Sequence, residues 1–393
     1  MSEKKRAKGK KKPRRRVRWW LLIFPVLLIG GIVFAIKYPA MKRERALTKL
    51  GYTKEEAAAV QEAGLDQLIT ENGYYSHPLA DAIRRGTLKK EYLPLYAAAD
   101  DSSLLTDLNF LLYSRLAEAG YEEDQLINLF KNLEFNELVP LLTFDYQWDE
   151  NDYIADCAEM RGENTNGKFE LSGTYRTNYH RAKEIKEPDS TSVLVNKTYY
   201  LSEHYAPSDL INITTEYSVD GMRMRKEAGE AAVDMCMNAL SDGDAFFIAS
   251  SYMGYESINN SYNYFVKTEG ERAADLMVGK AGFCEFQTGL SCTFAATYEK
   301  YEDFRTPDCY KWLSKNAAKY GFIERCPENK EIITGCEADA SYFRYIGKEL
   351  AKKVSASGLT YDEYWCLFLR EWDPEAQKPA DTLIESALSE LTE

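Results

Sequence analysis

The sequence predicts an α+β domain preceded by a membrane span and a helical segment. Three observations predict it. An apolar run sits directly behind a strongly basic N-terminus. Residues 40–145 then carry apolar side chains at three-to-four spacing, the period of helices. Beyond them, short strand-like runs mix with helices, without the strand–helix–strand rhythm of a parallel sheet. The composition is that of a folded chain, 45% hydrophobic and 28% charged.

Residues 1–18, "MSEKKRAKGKKKPRRRVR", hold eleven Lys/Arg and one Glu, whereas the rest of the chain is strongly acidic. A basic tail is also a nucleic-acid signature. Here the run "WWLLIFPVLLIGGIVFAI" (19–36) follows at once, so the membrane is the expected partner and no nucleic acid is. Eighteen residues at about 1.5 Å each reach about 27 Å, enough to cross a hydrocarbon core. Trp19 and Trp20 suit the headgroup boundary, and the preceding Lys/Arg excess keeps the N-terminus cytoplasmic. No small-x-small cleavage site follows the run. A transmembrane helix over 19–37 is therefore expected. It makes the chain a single-pass cell-membrane protein whose main domains are extracytoplasmic.

Residues 38–145 read as a helical, repeat-like stalk. "GYTKEEAAAVQEAGLDQLI" and "GYEEDQLINLFKNL" both open with Gly-Tyr and then acidic residues, which suit a helix N-terminus. "EYLPLYAA" (91–98) and "ELVPLLTF" (137–144) echo each other. Residues 146–192 form a linker, with a candidate edge strand in "KFELSGTYRT" (168–177). The main domain spans 193–375, and 376–393 is a C-terminal tail. Within the domain, "RKEAGEAAVDMCMNAL" predicts a helix with Ala228, Ala231, Ala232, Met235, Ala239 and Leu240 on one face. "AFFIASSY" (245–252) predicts a buried strand and "DCYKWLSKNAAKYGF" (308–322) a helix closed by Gly321. "EIITGCEADASYFRYIG" (331–347) predicts strands near a cleft, and "TYDEYWCLFLREW" (360–372) a closing helix.

Three histidines limit metal and acid–base chemistry. All eight cysteines lie beyond the apolar run, where disulfides are permitted. No Cys-x-x-Cys pair suggests a zinc ribbon. The pair expected to bond is Cys326–Cys336, which flanks the turn-like "PENK"; the others are expected to be free and buried.

Six phrases, taken in order, carry a family resemblance. They are "LVNKTYYLSEHYAPSDL", "RMRKEAGEAAVDMC", "ASSYMGYESI", "KAGFCEFQTGLSCT", "YKWLSKNAAKYGFIERCP" and "EADASYFRYIG". Together the chain resembles the VanY-type D-alanyl-D-alanine carboxypeptidases of the LAS metallopeptidase superfamily over roughly 193–370. The resemblance implies a zinc site of two His and one Asp with an open position for water. It also implies a Glu general base and an Arg that recognises the substrate. The positions matching the zinc ligands are Phe286, Thr293 and Tyr342. Asp339 stands at the general-base position and Met253 at the Arg position. Tyr252, Met253, Gln287 and Arg344 are the candidate binding residues of the cleft. Arg344 is expected to brace an internal acid, and Tyr252, Tyr255 and Tyr262 to be half-buried packing rather than sugar platforms. Cys284, Cys292 and Asp339 are the alternative donors, but Cys292 is one residue from Thr293 and points to the opposite strand face.

The expectation is therefore a catalytically degenerate relative with no cofactor of its own. It would act in peptidoglycan-associated binding or regulation, on a stem peptide or an envelope protein. The alternative is an active D,D-carboxypeptidase with altered metal ligands.

Overall fold

A computed structural model describes residue 28 and residues 37–144, 150–162, 182–296, 304, 308–370 and 387–391. The basic tail 1–18 lies outside them, as do the predicted span 19–37 (except Leu28 and Lys37) and the edge strand 168–177. Among the described residues no helix is long and apolar enough to cross a membrane.

The chain divides into two compact units, Met1–Lys89 and Lys90–Glu393. The boundary falls inside the predicted stalk, so residues 90–144 share a unit with the sheet. In the first unit, residues 37–50 are helical (α1), followed by α2 (Lys54–Glu62), α3 (Asp66–Asn72) and α4 (His77–Arg85). Thr53 and Glu56 form a capping box at the start of α2. Gly73 and Gly86, both left-handed, end α3 and α4. Leu47, Val60, Ile69 and Leu79 are fully buried.

The second unit opens with α5 (Leu93–Ala98), α6 (Asp107–Glu118), α7 (Glu123–Asn132), α8 (Phe135–Leu138), α9 (Pro140–Thr143) and α10 (Glu150–Gly162). The sequence echo has a local cause. The second Gly-Tyr phrase also leads into a capping box, Glu122 with Gln125, and both Pro-containing phrases start a helix at or next to Pro. Arg115 is fully buried, with Nε donating to Leu367 O at 3.2 Å and Nη1 paired with Glu118 at 3.0 Å.

Next come two short pairs: β1 (Lys183–Glu184) with β2 (Tyr199–Tyr200), and β3 (Leu210–Asn212) with β4 (Arg223–Arg225). They precede α11 (Lys226–Asp242), β5 (Phe247–Ser250), α12 (Tyr255–Thr268), α13 (Glu271–Met277), β6 (Ser291–Ala295), α14 (Asp308–Asn316) and β7 (Phe322–Cys326). The last elements are α15 (Glu331–Thr334), β8 (Asp339–Tyr345), α16 (Lys348–Ser357) and α17 (Tyr361–Tyr364). The central sheet is antiparallel, in the order β5-β6-β8-β7. Residues 387–390 are helical, and Glu390 accepts from Leu108 N.

Strand alternation decides which residues face which side. Ile248, Cys292, Phe294, Phe322, Phe343 and Tyr345 point into one core with α11 and α14. Thr293 and Tyr342 point the other way, into a cleft, and Ser250 joins them because the β5 register shifts between Ile248 and Ser250. In α11, Ala228, Ala231, Ala232, Met235 and Ala239 are buried as expected, but Leu240 is 55% exposed. It sits one residue past Ala239, about 100° around the helix and off the packed stripe.

Residues 331–334 form a helix rather than the predicted strand. Ile332 and Ile333 are buried, and α15 packs against α8, α9 and α17. Gly321 joins the 3-10 turn after α14 to β7 with φ +94°. A Cβ there would lie 2.5 Å from the Tyr345 ring and 3.1 Å from the Gly347 and Lys348 backbone. Gly321→Ala is expected to cost about 2–3 kcal/mol. Urea unfolding would show this as a lower midpoint at unchanged slope.

Candidate functional site

The cleft has a volume of about 580 Å³. Its floor is the outward face of the sheet. One wall is the α12–α13 hairpin, with Ile258, Phe265, Leu276 and Met277, and another is the β7–β8 connection, residues 334–339. The "CEFQTG" phrase enters as a tight 3-10 turn, Glu285–Thr288, ended by Gly289 at φ +67°. Any side chain at 289 would press on Leu210 and Arg225 at 2.9–3.1 Å. The turn presents Phe286 to the cleft and sends Gln287 inward.

Phe286 and Tyr342 stack with ring centroids 5.0 Å apart and planes at 13°. Thr293, paired with Tyr342 across β6 and β8, shares a 2.6 Å hydrogen bond with Ser250. The three positions expected from the resemblance thus converge on one spot, and they hold two rings and an engaged hydroxyl. Asp339 lines the cleft, but its Oδ1 accepts from Ser341 N (2.8 Å) and Ser341 Oγ (2.7 Å) within its own strand.

These residues do not fit a zinc ion. Phe286 has no lone pair. Burial, with the Glu285 carboxylate and Cys284 nearby, pushes the Tyr342 phenol well above its usual range, so it stays protonated and a poor ligand. Among the described residues no three His, Cys, Asp or Glu side chains converge to hold a metal. Cys292 lies on the opposite face of the sheet, in the core. His77 and His204 are exposed, and His180 lies outside the described residues.

The cleft's most ordered polar feature was not singled out from sequence. Arg325 sits in the register shift of β7 between Glu324 and Cys326. Its Nε donates to Glu285 Oε2 at 2.9 Å, and both terminal nitrogens donate to Asp362. All three side chains are at most 3% exposed. Asn196 donates to Asp362 Oδ1 at 3.2 Å and to Thr143 O at 3.4 Å. Burial alone would lower the Arg325 pKa, but the Asp362 and Glu285 carboxylates raise it, so the guanidinium stays charged.

The candidate binding residues divide. Met253 lines the cleft, whereas Tyr252, Gln287 and Arg344 are not among its lining residues. Gln287 is buried and donates to Ser202 O and Tyr205 O. Among the described residues Arg344 braces no acid. It donates to Thr288 Oγ1 at 2.6 Å and to the carbonyls of Thr191 and Val193, because its place on β8 opposite Ser291 turns it under the opening segment. Tyr252 is half-buried beneath Arg223. Tyr262 is buried and donates to Asp275.

The described cysteines agree with the sequence reading. Cys326 and Cys336 form a disulfide, and the other six are free and buried.

The D-alanyl-D-alanine carboxypeptidase VanY family model matches residues 221–348. The carboxypeptidase-like YodJ of Bacillus subtilis (strain 168) is 34% identical over 219 residues, 53% of this chain and 80% of that protein. A D-alanyl-D-alanine carboxypeptidase of Enterococcus faecium is 26% identical over 234 residues, 57% of this chain and 74% of that one. The chain belongs to the VanY carboxypeptidase family. Among solved structures, the LdcB LD-carboxypeptidase aligns over 47% of this chain and 89% of its own, at 36% identity and TM-score 0.45. A VanY D,D-pentapeptidase in complex with Zn(II) aligns over 44% and 98%, at 27% identity and TM-score 0.39.

Arg325→Met leaves two carboxylates buried without their cation and is expected to cost about 3–5 kcal/mol. Combining it with Glu285→Gln and Asp362→Asn is expected to recover most of that in urea unfolding. Burial also pushes the Cys284 and Cys236 thiols up to about 12. The folded state therefore binds these protons more tightly than the unfolded chain does. The resulting stability is present below the ordinary thiol pKa of about 8.5 and is lost as pH rises towards 12. Iodoacetamide at pH 8 is expected to leave all six free cysteines unlabelled until denaturant is added, as read by peptide mass spectrometry.

Proposed function

We propose that this chain is a non-catalytic member of the VanY family, anchored at the cell membrane through residues 19–37, whose cleft binds a ligand without cleaving it. The carrying observation is the Phe286–Tyr342 stack beside the Thr293–Ser250 hydrogen bond. It fills the place where the resemblance expects a hydrated metal. Without such an ion there is no activated water, and Asp339 is held by Ser341 rather than directed at a nucleophile.

The ligand belongs to the cell envelope: a peptidoglycan stem peptide or a protein partner. Cleft charge favours the protein partner. A stem peptide's terminal carboxylate would need a cationic fork. Met253 stands at the Arg position, and each nitrogen of the Arg325 guanidinium already donates to Glu285 or Asp362. Asp275, Glu285, Glu337 and Asp339 line the same cleft against Lys197 and Arg325, so an anionic chain end meets more like charge than opposite charge.

Metal analysis tests the reading. The purified chain, dialysed against micromolar zinc, is expected to hold far less than one equivalent and to release no D-alanine from a pentapeptide stem. The triple variant Phe286→His, Thr293→Asp, Tyr342→His is expected to take up one equivalent. Stoichiometric zinc and D-alanine release by the unaltered chain would establish the active-enzyme alternative instead.

A further inference from the structure

The β7–β8 connection is both a wall of the cleft and a cross-linked loop. Its two halves are held differently. In the first half, Ile332 and Ile333 are buried, and Lys330 Nζ reaches Glu363 at 2.8 Å and Asn136 at 2.9 Å. Those contacts do not involve the disulfide. In the second half, Gly335, Cys336, Glu337 and Ala338 line the cleft, and Glu337 is exposed. Besides the 3.4 Å hydrogen bonds of the Cys336 backbone with Thr334 Oγ1, two links tie this half down. One is the covalent bond from Cys336 to Cys326, at the end of β7. The other is the Glu337 N–H, which donates to Leu276 O at 3.1 Å, one residue from the end of α13. The covalent link and the link to the α12–α13 wall are therefore adjacent in the chain.

We propose that the Cys326–Cys336 disulfide is a dithiol-reducible clasp that holds the α13 wall of the cleft to the β7–β8 wall. The incoming reagent is a dithiol, small or protein-borne. Its thiolate attacks Cys336 Sγ, because Cys336 is half-buried whereas Cys326 is buried. The Cys326–Cys336 bond breaks, Cys326 leaves as a thiolate and takes up a proton. The reagent's second sulfur then attacks the mixed disulfide, releasing Cys336, which takes up the second proton. Two electrons and two protons pass from the dithiol, which ends as a disulfide. A third sulfur, Cys284, lines the same cleft. Its burial keeps it a thiol at neutral pH, so it does not compete as an internal nucleophile. Reduction frees residues 335–338 while Ile332, Ile333 and Lys330 still anchor the loop, so the wall loosens without loss of the sheet.

The test needs no ligand and is independent of whether the cleft is catalytic. Hydrogen exchange is followed on the full chain by mass spectrometry, before and after dithiothreitol and again after reoxidation. Native reduction is expected to expose Cys336 to alkylation, whereas Cys326, buried at the end of β7, is labelled only after denaturant is added. Exchange at Glu337 and across 271–278 is expected to rise by about tenfold or more. β6 (291–295) should stay unchanged, and reoxidation should reverse the effect. Three outcomes would overturn the proposal: a disulfide that resists dithiothreitol under native conditions, unchanged exchange at 271–278, or a rise of equal size in β6. Cys336→Ser is expected to show the reduced pattern without reductant. If that variant does not fold, the wild-type reduction series decides alone.

Discussion

One buried guanidinium organises this domain. Arg325 leaves β7 at a bulge and meets Glu285 from the "CEFQTG" turn and Asp362 from α17. Through Asn196 the same network reaches the carbonyl of Thr143 at the end of α9. Four stretches far apart in sequence are thus fixed around one positive charge. Removing water from three ionised groups is costly, and the arrangement persists only because each nitrogen has a partner. The cleft floor inherits its shape from that requirement. Glu285 pulls the turn down, and its neighbour Phe286 is thereby held over Tyr342.

The same network explains why the helical segment belongs with the sheet. Residues 90–144 supply Thr143 O to Asn196 and Thr198, and Asn136 to Lys330. α8 and α9 cover α15. An amphipathic helical stretch read alone looks like a spacer, since its partner surface is written elsewhere in the chain. That is also why residues 331–334 read as a strand in sequence. Two adjacent isoleucines fit either state, and only the helices packed over them decide it.

Strand alternation was legible where both faces have a definite environment. The parity of Cys292 and Thr293 was enough to put one in the core and the other in the cleft. The helix over 225–240 followed from its apolar period, and the structure ends it at Gly243 in the left-handed conformation. The Cys326–Cys336 pair was legible from proximity around a turn. What could not be read was pairing at long range. Glu285 and Arg325 lie 40 positions apart and Arg325 and Asp362 lie 37, and no spacing rule joins them. Arg344 misleads for the same reason. It sits inside a motif phrase, yet its partners are the Thr288 hydroxyl and the backbone carbonyls of Thr191 and Val193.

The stacked rings are more than an absence of ligands. Deleting metal-binding side chains from a cleft would ordinarily leave a polar hole that fills with water or collapses. Here an offset ring pair occupies the spot, contributing about 0.5–1.5 kcal/mol beyond its buried area. Thr293, where a carboxylate would otherwise need a cation, satisfies its hydroxyl with Ser250. The three positions carry no charge: the two rings have each other and the hydroxyl has Ser250. On the proposed non-catalytic reading, a cleft filled in this way keeps its walls and holds a ligand without consuming it, because nothing at the ring pair activates water.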